Sequence, residues 1–231
     1  MQVSLLILSL AVVAHSQPPP QPPPGVTNSN NSPIGDLASM FGRLIAPDQC
    51  IGTAEDDQGP YYVPGAPNKN VICAKTGVNS AAEPLVIRGT VLDADNGLTP
   101  IQATLDIWQA NAQGLYSFFD GAPQNYDCRG KTTSDAFGDF RIETIVPGYY
   151  ATRPRHVHVK TTAPGYEPLT TQIYFEHDGR RDADYPGPIA CLGCRERSLV
   201  MATRLFRATD DPNDSTVVRA GRFNIYLTKQ P

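Results

Sequence analysis

The sequence predicts a mainly-β protein. The expected architecture is a β-sandwich of short mixed and antiparallel strands, with long loops to carry a site and one short N-terminal helix. Three observations predict it. From about Leu85 onward, short apolar or alternating runs recur between turn signals. The 231 residues include 22 Pro and 19 Gly, a composition that suits turns better than long helices. No repeat of 20 to 50 residues is visible, which argues against a solenoid or propeller.

The elements follow in chain order. Leu5 to Val13 is an apolar stretch broken only by Ser9, and Ala14-His15-Ser16 follows with small residues at both ends of the triplet. This pattern reads as a signal peptide over residues 1–16, cleaved after Ser16 and too short to span a bilayer. Residues 17–33 begin Gln17-Pro18-Pro19-Pro20 and form a Pro-rich tail that cannot bury a core. Leu37, Met40, Phe41 and Leu44 have helical spacing, so a short helix is expected over Ile34 to Ile45. Residues 34–231 are then read as one β-sandwich domain.

Expected strands are Leu85 to Leu92, closed by the turn Asp95-Asn96-Gly97, then Ala103 to Trp108, Phe140 to Thr144, and His156 to Lys160. Thr171 to Phe175, Leu199 to Leu205 and Arg222 to Leu227 complete the set. Gly179 to Cys194 is rich in Asp, Pro and Gly and reads as a surface excursion.

Charge and cysteines narrow the function class. The net charge is -4 and no basic run occurs, so a nucleic-acid partner is not expected. No segment after the leader is apolar enough to cross a membrane. A secreted chain makes its five cysteines disulfide candidates: Cys50, Cys73, Cys128, Cys191 and Cys194. The odd count leaves at least one unpaired within the chain, and the pairing cannot be read from the sequence. Cys191-Leu192-Gly193-Cys194 has no second CxxC, so a structural staple is a better reading than a zinc knuckle. Asn30-Asn31-Ser32 and Asn213-Asp214-Ser215 have the form of glycosylation acceptors.

The chemistry concentrates around His156-Val157-His158. On a strand, residues i and i+2 share a face, so two imidazoles can converge on a metal. The pair alone more often marks a solvated polar face. Its neighbours tip the balance: Pro147-Gly148 makes a turn, Tyr149-Tyr150 follow, and Arg153-Pro154 precede the pair. A phenol becomes a good ligand when a highly charged cation lowers its pKa, and ferric iron does this. No Glu or Asp completes a His-linked metal motif, which disfavours a ferrous facial triad.

Four segments together resemble the intradiol ring-cleavage dioxygenases, the family of catechol 1,2-dioxygenase and protocatechuate 3,4-dioxygenase. Gly59-Pro60-Tyr61-Tyr62-Val63-Pro64-Gly65-Ala66-Pro67 resembles the family's substrate-pocket loop. Trp108 to Asp120 resembles its first ligand segment. Arg153-Pro154-Arg155-His156-Val157-His158 resembles its Arg-Pro-x-His-x-His signature, and Thr171 to Phe175 the strand that follows. The four lie in family order between about residues 58 and 176.

The resemblance implies a mononuclear, non-haem Fe(III) held by Tyr116, Tyr150, His156 and His158. Tyr150 is preferred to Tyr149 because it falls at the Tyr of the family's Pro-Gly-x-Tyr. It also implies Tyr150, Arg153 and Gln172 as catalytic residues, with Tyr61 and Pro64 lining the substrate pocket. The implied reaction is O2-dependent intradiol cleavage of catechol-type aromatics to cis,cis-muconate-type products. Tyr150 would accept a substrate proton, and Arg153 would stabilise charge on the substrate.

The N-terminus departs from the family's dimer-building helical segment, so a monomer with a more open pocket is expected. The leader points to secretion and to external phenolics of diet or host. Two other classes compete: a secreted non-catalytic binding module and a zinc hydrolase using the His pair. The leader reading predicts that N-terminal sequencing of the secreted protein starts at Gln17; an intact Met1 would contradict it.

Overall fold

The computed structural model describes residues 52–119, 121–180, 199–207 and 217–231. The chain divides into Met1–Leu44 and Ile45–Pro231, and every described residue belongs to the second unit. The expected leader, Pro-rich tail and Ile34–Ile45 helix lie outside the described residues. So do Cys50, Cys191 and Cys194, both glycosylation acceptors, and nearly all of the Gly179–Cys194 excursion.

Among the described residues, ten strands form two five-stranded sheets. The first is organised on β1 (Pro84–Asp93), whose antiparallel neighbour is β4 (Asp139–Ile145). β9 (Val217–Arg222) and then β10 (Ile225–Leu227) run parallel to β1, and β8 (Thr203–Arg207) pairs with β9. The second sheet has the order β3 (Arg129–Thr133), β2 (Thr104–Gln109), β5 (His156–Thr162), β6 (Leu169–Phe175), β7 (Val200–Met201). The expected mixed β-sandwich is therefore present.

Alternation of apolar residues explains how the layers meet. Leu85 and Ile87 of β1, Phe140 and Ile142 of β4, and Ile225 and Leu227 of β10 join one buried core. Leu105 and Ile107 of β2, Val157 and Val159 of β5, and Ile173 of β6 supply the other half. The residues between them must point the opposite way. On β5 these are His156 and His158, and both are also buried. Loops therefore cover the outer face of this sheet.

Two expected strands divide. Leu199 to Leu205 becomes β7 in the second sheet and β8 in the first, with the chain changing sheets at Ala202. Leu199 and Met201 are buried, whereas Leu205 is exposed, so the apolar run serves two environments. The run from Arg222 to Leu227 breaks at Phe223 and Asn224, and β9 begins earlier, at Val217. β3 was not foreseen, because Arg-Gly-Lys-Thr-Thr carries no apolar alternation; it is recruited by pairing along β2. The expected turn is present: Asn96 Oδ1 accepts from the Leu98 and Thr99 amides, and Gly97 has φ +64°.

Cys73 and Cys128 form a disulfide 55 residues apart that packs against Ile145. Closing a loop of that length restricts the unfolded chain by about 4 kcal/mol in the chain-entropy model. The Cys73→Ser/Cys128→Ser protein should accordingly unfold at lower urea, by up to about 4 kcal/mol; an unchanged midpoint would show that the bridge contributes nothing to the fold.

Candidate metal centre

Register on the outer face of the second sheet builds the floor of the site. Trp108 of β2 lies opposite His158 of β5, and His158 lies opposite Gln172 of β6. His156 lies opposite Tyr174. The Trp108 and His158 rings stack at 4.7 Å and 4°, which fixes the plane of the imidazole.

Two loops bring the tyrosines over this floor. The loop after β2 turns at Asn111, whose side-chain oxygen accepts from the Gln113 and Leu115 amides, and it delivers Tyr116. The loop after β4 delivers Tyr150. The two loops touch backbone to backbone: Gly148 donates to the Asn111 carbonyl at 2.9 Å. A Cβ on Gly114 would sit 2.0 Å from the Tyr149 carbonyl oxygen, and one on Gly148 would sit 2.5 Å from that of Ala112. Gly114 also has φ +82°. Glycine at both positions lets the two tyrosine loops approach this closely.

The Tyr116 hydroxyl lies 3.0 Å from His156 Nε2 and 3.2 Å from His158 Nε2, and all three residues are buried. The Tyr150 ring meets Tyr116 edge-on at 5.6 Å. Tyr61 stacks on Tyr116 at 4.6 Å and 12°, and its hydroxyl lies 2.8 Å from that of Tyr150. Three phenols and two imidazoles thus share one pocket.

Protonation shows what this arrangement lacks. His156 Nδ1 donates to the Pro154 carbonyl at 2.7 Å, so its Nε2 presents a lone pair. Tyr116 has one proton and faces two imidazole nitrogens. Buried His158 Nδ1 has no hydrogen-bond partner among the described residues. Whichever tautomer His158 adopts, a buried polar group is left unpaired or lone pairs face one another. A cation among these atoms would be met by the lone pairs of both Nε2 atoms and of the phenolic oxygen.

Burial also favours the neutral forms of Tyr116, His156 and His158. It pushes the Tyr116 phenol well above its ordinary value, opposed by the positive charges of Arg153 and Arg129. It lowers His156 to about 4 and His158 well below its ordinary value. Among the described residues no group of three His, Cys, Asp or Glu could hold a metal. Any metal here would draw on phenolates, and that donor chemistry fits a hard ferric ion.

The polar side of the pocket is equally ordered. Arg153 Nη2 donates to Gln172 Oε1 at 2.8 Å and to the Tyr174 hydroxyl at 3.1 Å. Gln172 Nε2 donates to the Asp57 carbonyl at 2.6 Å, and Tyr174 donates to Asp56 Oδ2 at 2.6 Å. The structure therefore joins Arg153 and Gln172 directly and brings Tyr61, Tyr116, Tyr150, His156 and His158 together. Pro64 is exposed and is not among the residues brought together; its carbonyl accepts from the Tyr126 hydroxyl at 2.9 Å.

Tyr149 turns away from the cluster, between the guanidiniums of Arg155 and Arg180. The roles of Tyr174, Asp56 and Trp108 were not foreseen. Strand register could have found Tyr174 and Trp108, opposite His156 and His158. Asp56 carries no local signal. Nor was Tyr62 singled out beyond its loop: it donates to Asp106 at 3.0 Å, and burial with that carboxylate pushes its phenol to about 12.

The β-sandwich carries a buried phenol–imidazole cluster on one sheet face, and comparison with known proteins gives its class as a dioxygenase. A family model described as Dioxygenase matches residues 57–228. Chlorocatechol 1,2-dioxygenase from Pseudomonas sp. (strain P51) is 35% identical over 195 residues, covering 75% of this chain and 70% of the relative. The enzyme of that name from Pseudomonas putida is 38% identical over 138 residues, 52% of each chain. The crystal structure of 3-chlorocatechol 1,2-dioxygenase from Rhodococcus opacus 1CP superimposes with a TM-score of 0.64 at 28% identity, covering 81% of this chain and 77% of that one. The chain belongs to the intradiol dioxygenase family. It spans about half the length of several of the curated relatives it matches.

The depressed imidazoles make the metal-free protein acid-sensitive. His156 has a folded pKa near 4 and an unfolded value of 6.5, so the unfolded chain takes up its proton first. Stability present above pH 6.5 is lost as pH falls toward 4, by about 2 kcal/mol between pH 7 and 5 for this residue alone. Urea unfolding of the chelated protein at the two pH values measures it, and equal midpoints would rule out buried neutral imidazoles.

Proposed function

We propose that the protein holds one ferric ion and cleaves catechol-type aromatics between their two hydroxyl-bearing carbons with O2, giving cis,cis-muconate-type acids. The residues that would hold the metal are Tyr116 and Tyr150 through their hydroxyl oxygens, and His156 and His158 through Nε2. The observation that carries this reading is the approach of Tyr116 Oη to both Nε2 atoms, at 3.0 and 3.2 Å, inside a buried pocket with Tyr150 at its edge. The catechol and chlorocatechol dioxygenases among its relatives supply the substrate class. When bound, ferric iron supplies the Lewis acidity that draws electron density from a catecholate and opens a ring carbon to O2.

The chain's own residues supply the rest. Tyr150, as a phenolate, would accept a substrate proton at its oxygen, with the Tyr61 hydroxyl 2.8 Å away as its hydrogen-bond partner. Arg153, held by Gln172 and Tyr174, presents a fixed positive charge beside the cluster, so it stabilises negative charge on the ring without reorganising. Trp108 and Tyr61 flank the imidazole and phenol planes and exclude water from the donor atoms. We propose that Tyr61 and Pro64 line the substrate pocket and that it accepts several substituted catechols.

We further propose that the protein is a secreted monomer acting on external phenolics. The leader-like N-terminus and the Cys73–Cys128 bridge support an oxidising compartment.

Oxygen uptake together with muconate formation from catechol is the deciding measurement. The iron-loaded protein should be coloured by phenolate-to-iron charge transfer and consume one O2 per muconate. Tyr116→Phe should lose the colour and the activity. Arg153→Ala should keep the iron but turn over about 10²-fold more slowly. A colourless protein that carries zinc and takes up no oxygen would point to hydrolysis; one that binds no metal, to a binding module.

A further inference from the structure

The loop carrying Tyr150 and Arg153 is held on its inner side by the glycine contacts with the Tyr116 loop. Its outer side, Tyr149 to Arg155, has a different anchor. The Tyr149 ring lies between two guanidiniums, with Arg155 Cζ at 4.1 Å from the ring centre and Arg180 Cζ also at 4.1 Å. Burial and then the nearby Asp178 carboxylate raise the Tyr149 phenol above its ordinary value. Asp178 is buried and accepts from the Arg155 amide at 3.4 Å and the Arg180 amide at 2.9 Å. Arg180 reaches across to donate to the Ala151 carbonyl. Ala151 has φ +43° and His177 has φ +59°, so both ends of this contact use backbone conformations that a non-glycine residue rarely adopts. The segment after β6 thus closes over the loop after β4.

We propose that Tyr149 is a positioning residue: its ring, gripped between Arg155 and Arg180, holds the loop so that its neighbour Tyr150 and the nearby Arg153 point into the pocket. Two cations of like charge would repel across an aliphatic side chain. The π faces of one phenol accommodate both, each by a cation–π contact. The carboxylate of Asp178 offsets the accumulated positive charge. Arg153 N donates to the Tyr150 carbonyl at 2.9 Å, so releasing Tyr149 frees the turn that carries both site residues. Tyr149 itself points away from the phenol–imidazole cluster and acts only through them.

The effect on iron rests on the ligand reading above; the effect on the loop does not. Hydrogen exchange of the metal-free protein therefore comes first, read at the amides of Arg153 and Arg155. Tyr149→Leu should exchange there about tenfold faster than wild type, with β2 and β5 unchanged. Tyr149→Phe keeps both stacks and should stay within about threefold of wild type. Arg180→Met, a milder change should Tyr149→Leu fail to fold, should move in the same direction as Tyr149→Leu.

After iron loading, Tyr149→Leu should keep the metal, shift the phenolate-to-iron absorption and lower kcat about tenfold, with KM changed less; Tyr149→Phe should restore both. Wild-type exchange in Tyr149→Leu or Arg180→Met overturns the proposal, and so does Tyr149→Phe matching Tyr149→Leu, since the hydroxyl and not the stack would then be the grip. If wild-type protein takes up no iron, the proposed function fails, while the exchange experiment still decides the clamp.

Discussion

The pleat of one strand governs the architecture of this protein. β5 must give Val157 and Val159 to the intersheet core, so His156 and His158 can only face outward. Two imidazoles on an outward face would ordinarily be solvated. Here they are buried, and the surrounding structure follows from covering them. Trp108 and Gln172 flank His158 in register, Tyr174 backs His156, and three loops close over the row. A one-residue slip of β5 would place both imidazoles in the core and both valines in the pocket.

Covering that face brings polar groups together in a dry space, and their hydrogen bonds do not close by themselves. Arg153, Gln172, Tyr174, Asp56 and the Asp57 carbonyl join in one hydrogen-bonded network, with Arg153 Nε left without a partner among the described residues. Beside it, the Tyr116 hydroxyl faces the Nε2 atoms of His156 and His158, and His158 Nδ1 has no partner among the described residues. Each half of the pocket therefore keeps a buried polar atom unpaired among the described residues, and the second gathers three donor atoms at one point.

Much of this was legible in the sequence, and the reasons are local. Alternating apolar residues marked β1, β2, β4, β5 and β6 because each has one face in the core. His156-Val157-His158 was legible because period two needs only the strand itself. β3 was not legible, since its polar residues are held by pairing with β2. The division of Leu199–Leu205 was not either, because its apolar residues look alike until the chain is seen to leave one sheet for the other.

The sequence by itself determined the sandwich, the paired imidazoles, and the order of the segments carrying Tyr61, Tyr116, Tyr150, Arg153 and Gln172. Those are properties of periodicity and of motifs that lie along the chain. Only the tertiary structure decided where each adjacent tyrosine goes. Tyr149 and Tyr150 are chemically identical and one residue apart. Arg180 and Asp178, brought from beyond β6, take Tyr149, while Tyr61 and Tyr116, brought from earlier loops, receive Tyr150. The physical reason is that the partners which distinguish the two phenols are distant in sequence and meet only once the sheets have packed.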